Sequence, residues 1–66
     1  MSEELPFRIG PDGRSATWNP ALTRAAQVLV HVEGADGGVE IRRSMNSGRA
    51  RVREGERIVR IHVQEA

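Results

Sequence analysis

The stretch on which the predicted fold depends is Arg49-Ala50-Arg51-Val52-Arg53-Glu54-Gly55-Glu56-Arg57-Ile58-Val59-Arg60-Ile61-His62-Val63. A glycine followed by a polar residue is typical of a two-residue type II′ hairpin turn, so we expect the chain to fold back at Gly55-Glu56. Three cross-strand pairs then share one face, which Val63 extends: Glu54 with Arg57, Val52 with Val59, and Ala50 with Ile61. The opposite face carries Arg49, Arg51, Arg53, Ile58, Arg60 and His62.

The second face of this hairpin predicts a binding surface. Arg51 would lie across from Arg60, and Arg49 across from His62, and like charges in such positions destabilise a hairpin unless an acidic group covers them. Arginine also presents forked donors that suit carboxylates and phosphates. The residues predicted to bind a partner are Arg49, Arg51, Arg53, Arg60 and His62 on the hairpin, with Arg42 and Arg43 nearby.

Length and composition limit the class of protein. The chain has 66 residues with a net charge of +1 and no cysteine, which predicts one small domain over residues 1–66 without disulfides or thiolate-bound metal. The longest run of large apolar residues, Val28 to Val30, is far too short to cross a membrane. These features predict a cytoplasmic protein, and a core this small favours self-assembly or docking onto a partner.

Two further turns predict hairpins upstream. Gly10-Pro11-Asp12-Gly13 should join a strand at 5–9 to a strand at 14–18, because proline presets the second turn position and glycine suits the fourth. The core side chains of this hairpin are predicted to be Phe7, Ile9, Ala16 and Trp18.

The next turn signal is Asp36-Gly37, which is typical of a type I′ hairpin turn. It predicts that Val32 pairs with Ile41 and that His31 pairs with Arg42.

Residues 20–33 fit two alternatives. A helix would have Asn19 as its cap, Pro20 at its first position and Gly34 after its end. A strand is favoured by the alternation and β-branching around Val28, Val30 and Val32. We predict a compromise, with one or two helical turns over 20–26 followed by a strand over 27–33.

The predicted fold is therefore α+β and mostly β: a small antiparallel sheet or partly open barrel of three hairpins, with one short helix near residues 20–26.

Catalytic and metal sites have little support in the sequence. None of the hydroxyl residues lies in a recognisable nucleophile turn with a base beside it. A metal site would require His31 and His62 to meet across the sheet and recruit Glu33 or Glu40, and two histidines without characteristic spacing do not predict this. We expect neither enzymatic activity nor a cofactor.

Residues 5–17, Leu-Pro-Phe-Arg-Ile-Gly-Pro-Asp-Gly-Arg-Ser-Ala-Thr, and residues 55–60, Gly-Glu-Arg-Ile-Val-Arg, resemble segments of the baseplate-wedge proteins of contractile phage tails and related injection systems. That family often begins with a Pro-Phe-Arg-Ile strand and a Gly-Arg-Thr-Ala return, and it carries a Gly-Glu-Arg motif. The resemblance implies a non-catalytic structural subunit that packs against other proteins of a particle.

The resulting hypothesis is a small non-enzymatic interaction module that binds an acidic protein surface through its arginine-rich hairpin and works within an oligomer or a phage-like assembly. One alternative is a nucleic-acid-binding module that uses the same arginines as a phosphate track. Another is a small regulatory or inhibitory protein of a mobile element. The sequence leaves these alternatives open.

Overall fold

The mostly β, antiparallel architecture predicted from the sequence is confirmed in a computed structural model, which describes the backbone of residues 2–64 and the side chains of residues 5–63. Its elements are β1 (Ser2–Glu4), β2 (Arg8–Ile9), β3 (Ser15–Thr17), a 3₁₀ turn (Pro20–Leu22), β4 (Gln27–Glu33), β5 (Val39–Met45), β6 (Arg49–Arg51) and β7 (Arg57–Gln64). The large sheet has the strand order β1-β7-β4-β5 and the small sheet the order β2-β3-β6. The two sheets do not close into a barrel.

The compromise predicted for residues 20–33 is confirmed in outline, with less helix than expected. Asn19 caps a single 3₁₀ turn by accepting a hydrogen bond from the Ala21 N–H (3.0 Å), and the chain is already extended at Thr23. From Gln27 to Glu33 it forms a strand, in which alternate valines are buried. The β-branched run therefore prevails over the helix-capping signals, because an inner strand buries these valines against the opposite sheet.

The first predicted hairpin is confirmed as β2–β3. The Gly13 N–H donates to the Gly10 carbonyl (3.0 Å), which closes the turn at the predicted residues. Ala16 and Trp18 are buried as expected. Phe7 packs at the margin of the core, whereas Ile9 is 46% exposed, because it lies on the two-residue edge strand where little covers it.

The second predicted hairpin is confirmed as β4–β5, but the predicted pairing is wrong by one residue. His31 lies opposite Ile41 and Val32 opposite Glu40. The loop has three residues instead of two, because the Gly34 N–H donates to the Gly38 carbonyl (2.8 Å) and Gly37 takes the left-handed conformation at φ +86°. A three-residue loop with glycine in that position is a common alternative to the type I′ turn.

The third predicted hairpin is wrong. The chain does turn at residues 53–56, where the Glu56 N–H donates to the Arg53 carbonyl (3.0 Å). Gly55, at φ +84°, occupies the third position of this turn and not the first turn position of a type II′ hairpin. The arms then separate: β6 pairs with β3, and β7 pairs with β1 and β4. The turn thus connects the two sheets.

A β-bulge in β7 decides which of its side chains are buried. His31 lies opposite Arg60 and Val32 opposite Ile58, which leaves Val59 as an extra residue. Ile58 is consequently 5% exposed and Val59 41% exposed, the reverse of the predicted order. A bulge shifts the alternation of side chains on one side of the extra residue, and so it places Ile58 on the same face as Ile61.

The core lies between the two sheets. The large sheet contributes valines and isoleucines, the small sheet contributes Ala16 with Val52 beside it, and Leu5 and Trp18 complete the buried cluster. The Trp18 Nε1–H donates to Asn46 Oδ1 (2.8 Å), which satisfies the indole donor at the core margin. Over the described residues, no helix has the length and apolar character needed to cross a membrane.

Candidate functional site

The residues predicted to form one basic face are divided between the two sheets. Arg49 lies opposite Thr17 and Arg51 opposite Ser15 on the small sheet. Arg60 lies opposite His31 on the large sheet. The predicted pairs Arg51–Arg60 and Arg49–His62 therefore do not form, because β6 and β7 belong to different sheets.

A compact arginine surface nevertheless exists on the outside of the small sheet. Arg8, Thr17 and Arg49 lie in register across β2, β3 and β6, and Ser15 and Arg51 form the next pair. The arginine face is defined by these five residues: Arg8, Ser15, Thr17, Arg49 and Arg51. Its three guanidinium groups project from exposed residues, with two hydroxyls between them.

Sequence analysis missed Arg8 as a member of this surface. The signal was present, because Phe7 and Ile9 were predicted to face inward in the first hairpin and Arg8 must then face outward. What was not predicted is that β3 pairs with β6. That pairing brings Arg8 onto the same face as Arg49.

One carboxylate borders the arginine face. Asp12 accepts a hydrogen bond from the Arg14 N–H (3.0 Å), and its Oδ2 lies 3.9 Å from Arg51 Nη2. The backbone hydrogen bond from Arg14 is the main reason that the pKa of Asp12 is lowered from its ordinary value. The Arg51 side chain is still 72% exposed, and a long, exposed ion pair of this kind holds it only weakly. Arg51 can therefore turn toward an external acid.

Arg42, which was predicted to bind a partner, has a structural role. Its Nη1 donates to Glu56 Oε1 (3.1 Å), its Nη2 donates to Glu56 Oε2, and its Nε donates to Glu40 (2.6 Å). This forked pairing lowers the pKa of Glu56, with the hydrogen bonds from Arg42 as the largest cause, and raises the pKa of Arg42. Arg42 thus ties β5 to the turn that leads into β7, and is occupied within the chain.

The remaining predicted arginines lie outside the three strands of the small sheet. Arg53 is exposed in the turn before β7, where its N–H donates to Glu56 Oε1 (3.0 Å). Arg43 lies opposite Leu29 on the outer face of the large sheet. Arg60 lies on that outer face as well, since it is the cross-strand neighbour of His31.

His62 was predicted to be exposed and is buried. It lies on β7 between β1 and β4, is 8% exposed, and its ring centroid is 4.7 Å from that of His31. Within residues 5–63, neither ring nitrogen of His62 has a hydrogen-bond partner. It therefore cannot contact a partner in this arrangement.

The two histidines do meet across the sheet, but the predicted third ligands are elsewhere. Glu33 accepts a hydrogen bond from Arg57 Nε (2.8 Å), and Glu40 binds Arg42. Among the side chains that the structure describes, no group of three or more histidine, cysteine or acidic residues could hold a metal ion.

Sequence analysis also missed an apolar strip on the large sheet. Val39, Ile41 and Met45 are 55%, 58% and 74% exposed, and they share the outer face of β5, which is an edge strand. The sequence pattern predicted that Ile41 pairs with buried Val32. The one-residue difference in register places it opposite His31 on the outside.

Comparison of the chain with protein-family models, with curated proteins and with solved structures gave no match. The functional conclusion therefore depends on the geometry described above.

Proposed function

We propose that this protein is a small non-enzymatic interaction module that binds an acidic surface of a partner protein through the arginine face. The observation that carries the proposal is the placement of Arg8, Arg49 and Arg51 on the outside of one three-stranded sheet. Forked guanidinium donors bind carboxylates by paired, charge-assisted hydrogen bonds. Thr17 adds a hydroxyl donor between them, whereas the Ser15 hydroxyl already donates to Asp12 Oδ1 (3.3 Å).

The surroundings of the arginine face favour a protein partner over nucleic acid. Modules that bind single strands usually stack bases on exposed aromatic side chains. This chain has one tryptophan and one phenylalanine. Trp18 is 7% exposed and Phe7 packs against the core, so neither ring is fully exposed for stacking on a base.

The resemblance of residues 5–17 and 55–60 to baseplate-wedge proteins supports the same class of function, a structural subunit that works by contact with neighbouring proteins. We accordingly propose a role in a phage-tail-like or related assembly, in the cytoplasm.

The test compares two charge-reversal variants with the same net charge. Arg49→Glu/Arg51→Glu alters the arginine face, and Arg24→Glu/Arg60→Glu alters two exposed arginines that do not belong to it. Binding to poly-L-glutamate is measured by calorimetry at low and physiological salt, with circular dichroism to verify folding. We expect the first variant to lose about tenfold or more in affinity and the second to lose much less. A single exposed ion pair contributes little, whereas several arginines on one face can bind the same acidic chain together.

Equal losses in the two variants would mean that only the overall charge matters, and the arginine face would lose its special role. Binding of random-sequence DNA that is tighter than binding of poly-L-glutamate at the same ionic strength would favour the phosphate-track alternative.

A further inference from the structure

The two sheets leave two strand edges that face a common gap. β5 ends the large sheet and β6 ends the small sheet, although the chain passes directly from one to the other through residues 46–48. Within the described residues, no backbone hydrogen bond joins these two strands. We name the gap between β5 and β6 the seam.

The hydrogen-bond pattern shows which main-chain groups of β6 face the seam. Two bonds bracket the β3–β6 ladder: Trp18 N–H to the Gly48 carbonyl (2.9 Å) and Val52 N–H to the Arg14 carbonyl (2.8 Å). In an antiparallel strand, every second residue directs its main-chain N–H and C=O toward the same neighbouring strand. The main-chain groups of Ala50 therefore point toward β3. The N–H groups of Arg49 and Arg51 therefore point toward the open edge.

The seam has an apolar floor and a basic rim. Its cavity of about 320 Å³ is lined by buried valines and by Ala50, with Ser44 and arginines from both strands at its sides. The core valines at its base are Val30, Val32 and Val52. An extended backbone entering here would meet two backbone N–H groups that have no partner among the described residues, together with a small apolar trough and positive charge.

We propose that the seam accepts an extended acidic segment of a partner protein, which adds as a strand to the edge of β6 that faces the seam and displaces the Ser47 hydroxyl from the Arg49 carbonyl (3.2 Å). The inference rests on the proposed function and specifies how the acidic partner binds. Strand addition to an open edge derives affinity from the main chain and specificity from alternate side chains. Residues beside Arg49 and Arg51 would be acidic, and those between them would be small and apolar to fit the trough. The ligand class is therefore a segment that alternates acidic and small apolar residues.

The first experiment uses two peptides of identical composition. The probes are acetyl-Glu-Val-Glu-Val-Glu-Val-amide and acetyl-Glu-Glu-Glu-Val-Val-Val-amide, titrated into ¹⁵N-labelled protein. We expect the alternating peptide to bind at least about fivefold more tightly, since only it can present all of its acids on one face of a strand. Hydrogen exchange should slow at the Arg49 and Arg51 amides and stay unchanged at Ala50.

The second experiment separates backbone from side chain. Arg51→Ala removes only the guanidinium group, whereas Arg51→Pro also removes the N–H that faces the seam. Proline is tolerated on an edge strand where the N–H faces solvent. Loss of one main-chain hydrogen bond should weaken binding of the alternating peptide by a further factor of about two to ten relative to Arg51→Ala. If Arg51→Pro does not fold, the exchange measurement on the natural chain still decides the matter.

The outcomes distinguish strand addition in the seam from the proposed function, which is binding of an acidic partner by the arginine face. Equal affinity for both peptides, or equal loss in both Arg51 variants, would overturn strand addition while the arginine face still binds acids. Slowed hydrogen exchange confined to the amides of β5 would also overturn it. Slowed exchange at Arg49 and Arg51 that depends on protein concentration and occurs without peptide would overturn it as well, because it would indicate a second copy of the chain in the seam. Failure of both peptides and of poly-L-glutamate to bind would remove the proposed function as well.

Discussion

At the scale of single residues, Glu56 links separate parts of this small protein through its hydrogen bonds. Its carboxylate accepts from both terminal nitrogens of Arg42 and from the Arg53 N–H. It therefore joins strand β5 and the turn at 53–56 to the start of β7. These hydrogen bonds lower its pKa from an ordinary value of 4.5.

The first prediction follows from that lowered pKa. A carboxylate whose pKa is lower in the folded state stabilises the fold above its unfolded pKa, and the contribution is lost as the pH falls through the folded value. Glu56→Gln should lower the free energy of unfolding at pH 7 and weaken its decline below about pH 4.5. Urea unfolding at several pH values measures both effects. Glu54→Gln, which changes an exposed neighbour in the same turn, should do neither.

The second prediction concerns His62. A buried polar group without a hydrogen-bond partner costs about 1–3 kcal/mol, and an apolar residue of similar size removes that cost. Because both ring nitrogens are buried without a partner in residues 5–63, His62→Leu should raise the free energy of unfolding by about that amount. His62→Gln keeps polar atoms in the same place and should not. Destabilisation by His62→Leu would show that the imidazole has an essential contact in solution.

At the scale of elements, the turns depend on glycines in the left-handed conformation, and two of them differ usefully. Gly55 has φ +84°, and an added Cβ would lie 3.7 Å from the nearest neighbour, Ala35 Cβ. Gly48 has φ +91°, and an added Cβ would lie 3.3 Å from both Pro20 Cδ and the Trp18 carbonyl oxygen.

The third prediction compares alanine at these two positions. Left-handed backbone costs a residue with a Cβ about 1–2 kcal/mol, so Gly55→Ala should destabilise the fold by about that much. Gly48→Ala should cost more, because it adds a contact with the 3₁₀ turn. Thermal and urea unfolding give the comparison. If the two variants are equally stable, the segment near Pro20 must shift to accommodate the added methyl group without loss of stability, which would contradict the prediction.

At the scale of the whole molecule, the surface is divided into regions of different chemistry. The small sheet presents the arginine face, and the outer side of β5 presents three exposed apolar residues. Exposed apolar side chains on an edge strand promote association, although Arg43 lies between Ile41 and Met45 on this face. The two regions lie on different sheets and present separate surfaces.

The fourth prediction is that this apolar strip causes self-association. The natural chain should show a mass above that of a monomer, 7.3 kDa, as concentration rises in light-scattering measurements. Ile41→Lys should reduce the association. Leu22→Lys, at another exposed apolar residue (52%), should leave it unchanged. A strict monomer at high concentration would contradict the prediction.

The sequence alone was sufficient for features that depend on neighbouring residues. The turn at residues 10–13, the strand over 27–33 and the mostly β class follow from local rules of turn chemistry and alternation. The prediction that Ala50 lies on the opposite face of its strand from Arg49 and Arg51 was also correct. Alternation of side chains within a strand does not depend on which strand lies beside it.

Tertiary structure alone decided the pairing of strands, and with it the candidate site. A regular hairpin at Gly55 would satisfy the local rules. In the fold, however, β7 pairs with β1 and β4, so β7 is an inner strand, and Ile58 and Val52 are both buried between the two sheets. The bulge at Val59 exists only against β4, so no local pattern revealed it. Burial of apolar area and satisfaction of backbone hydrogen bonds are summed over the whole fold, and here they outweighed the preference of one turn. For that reason Arg8 belongs to the arginine face, whereas His62 is buried beside Leu29 on the outer face of the large sheet.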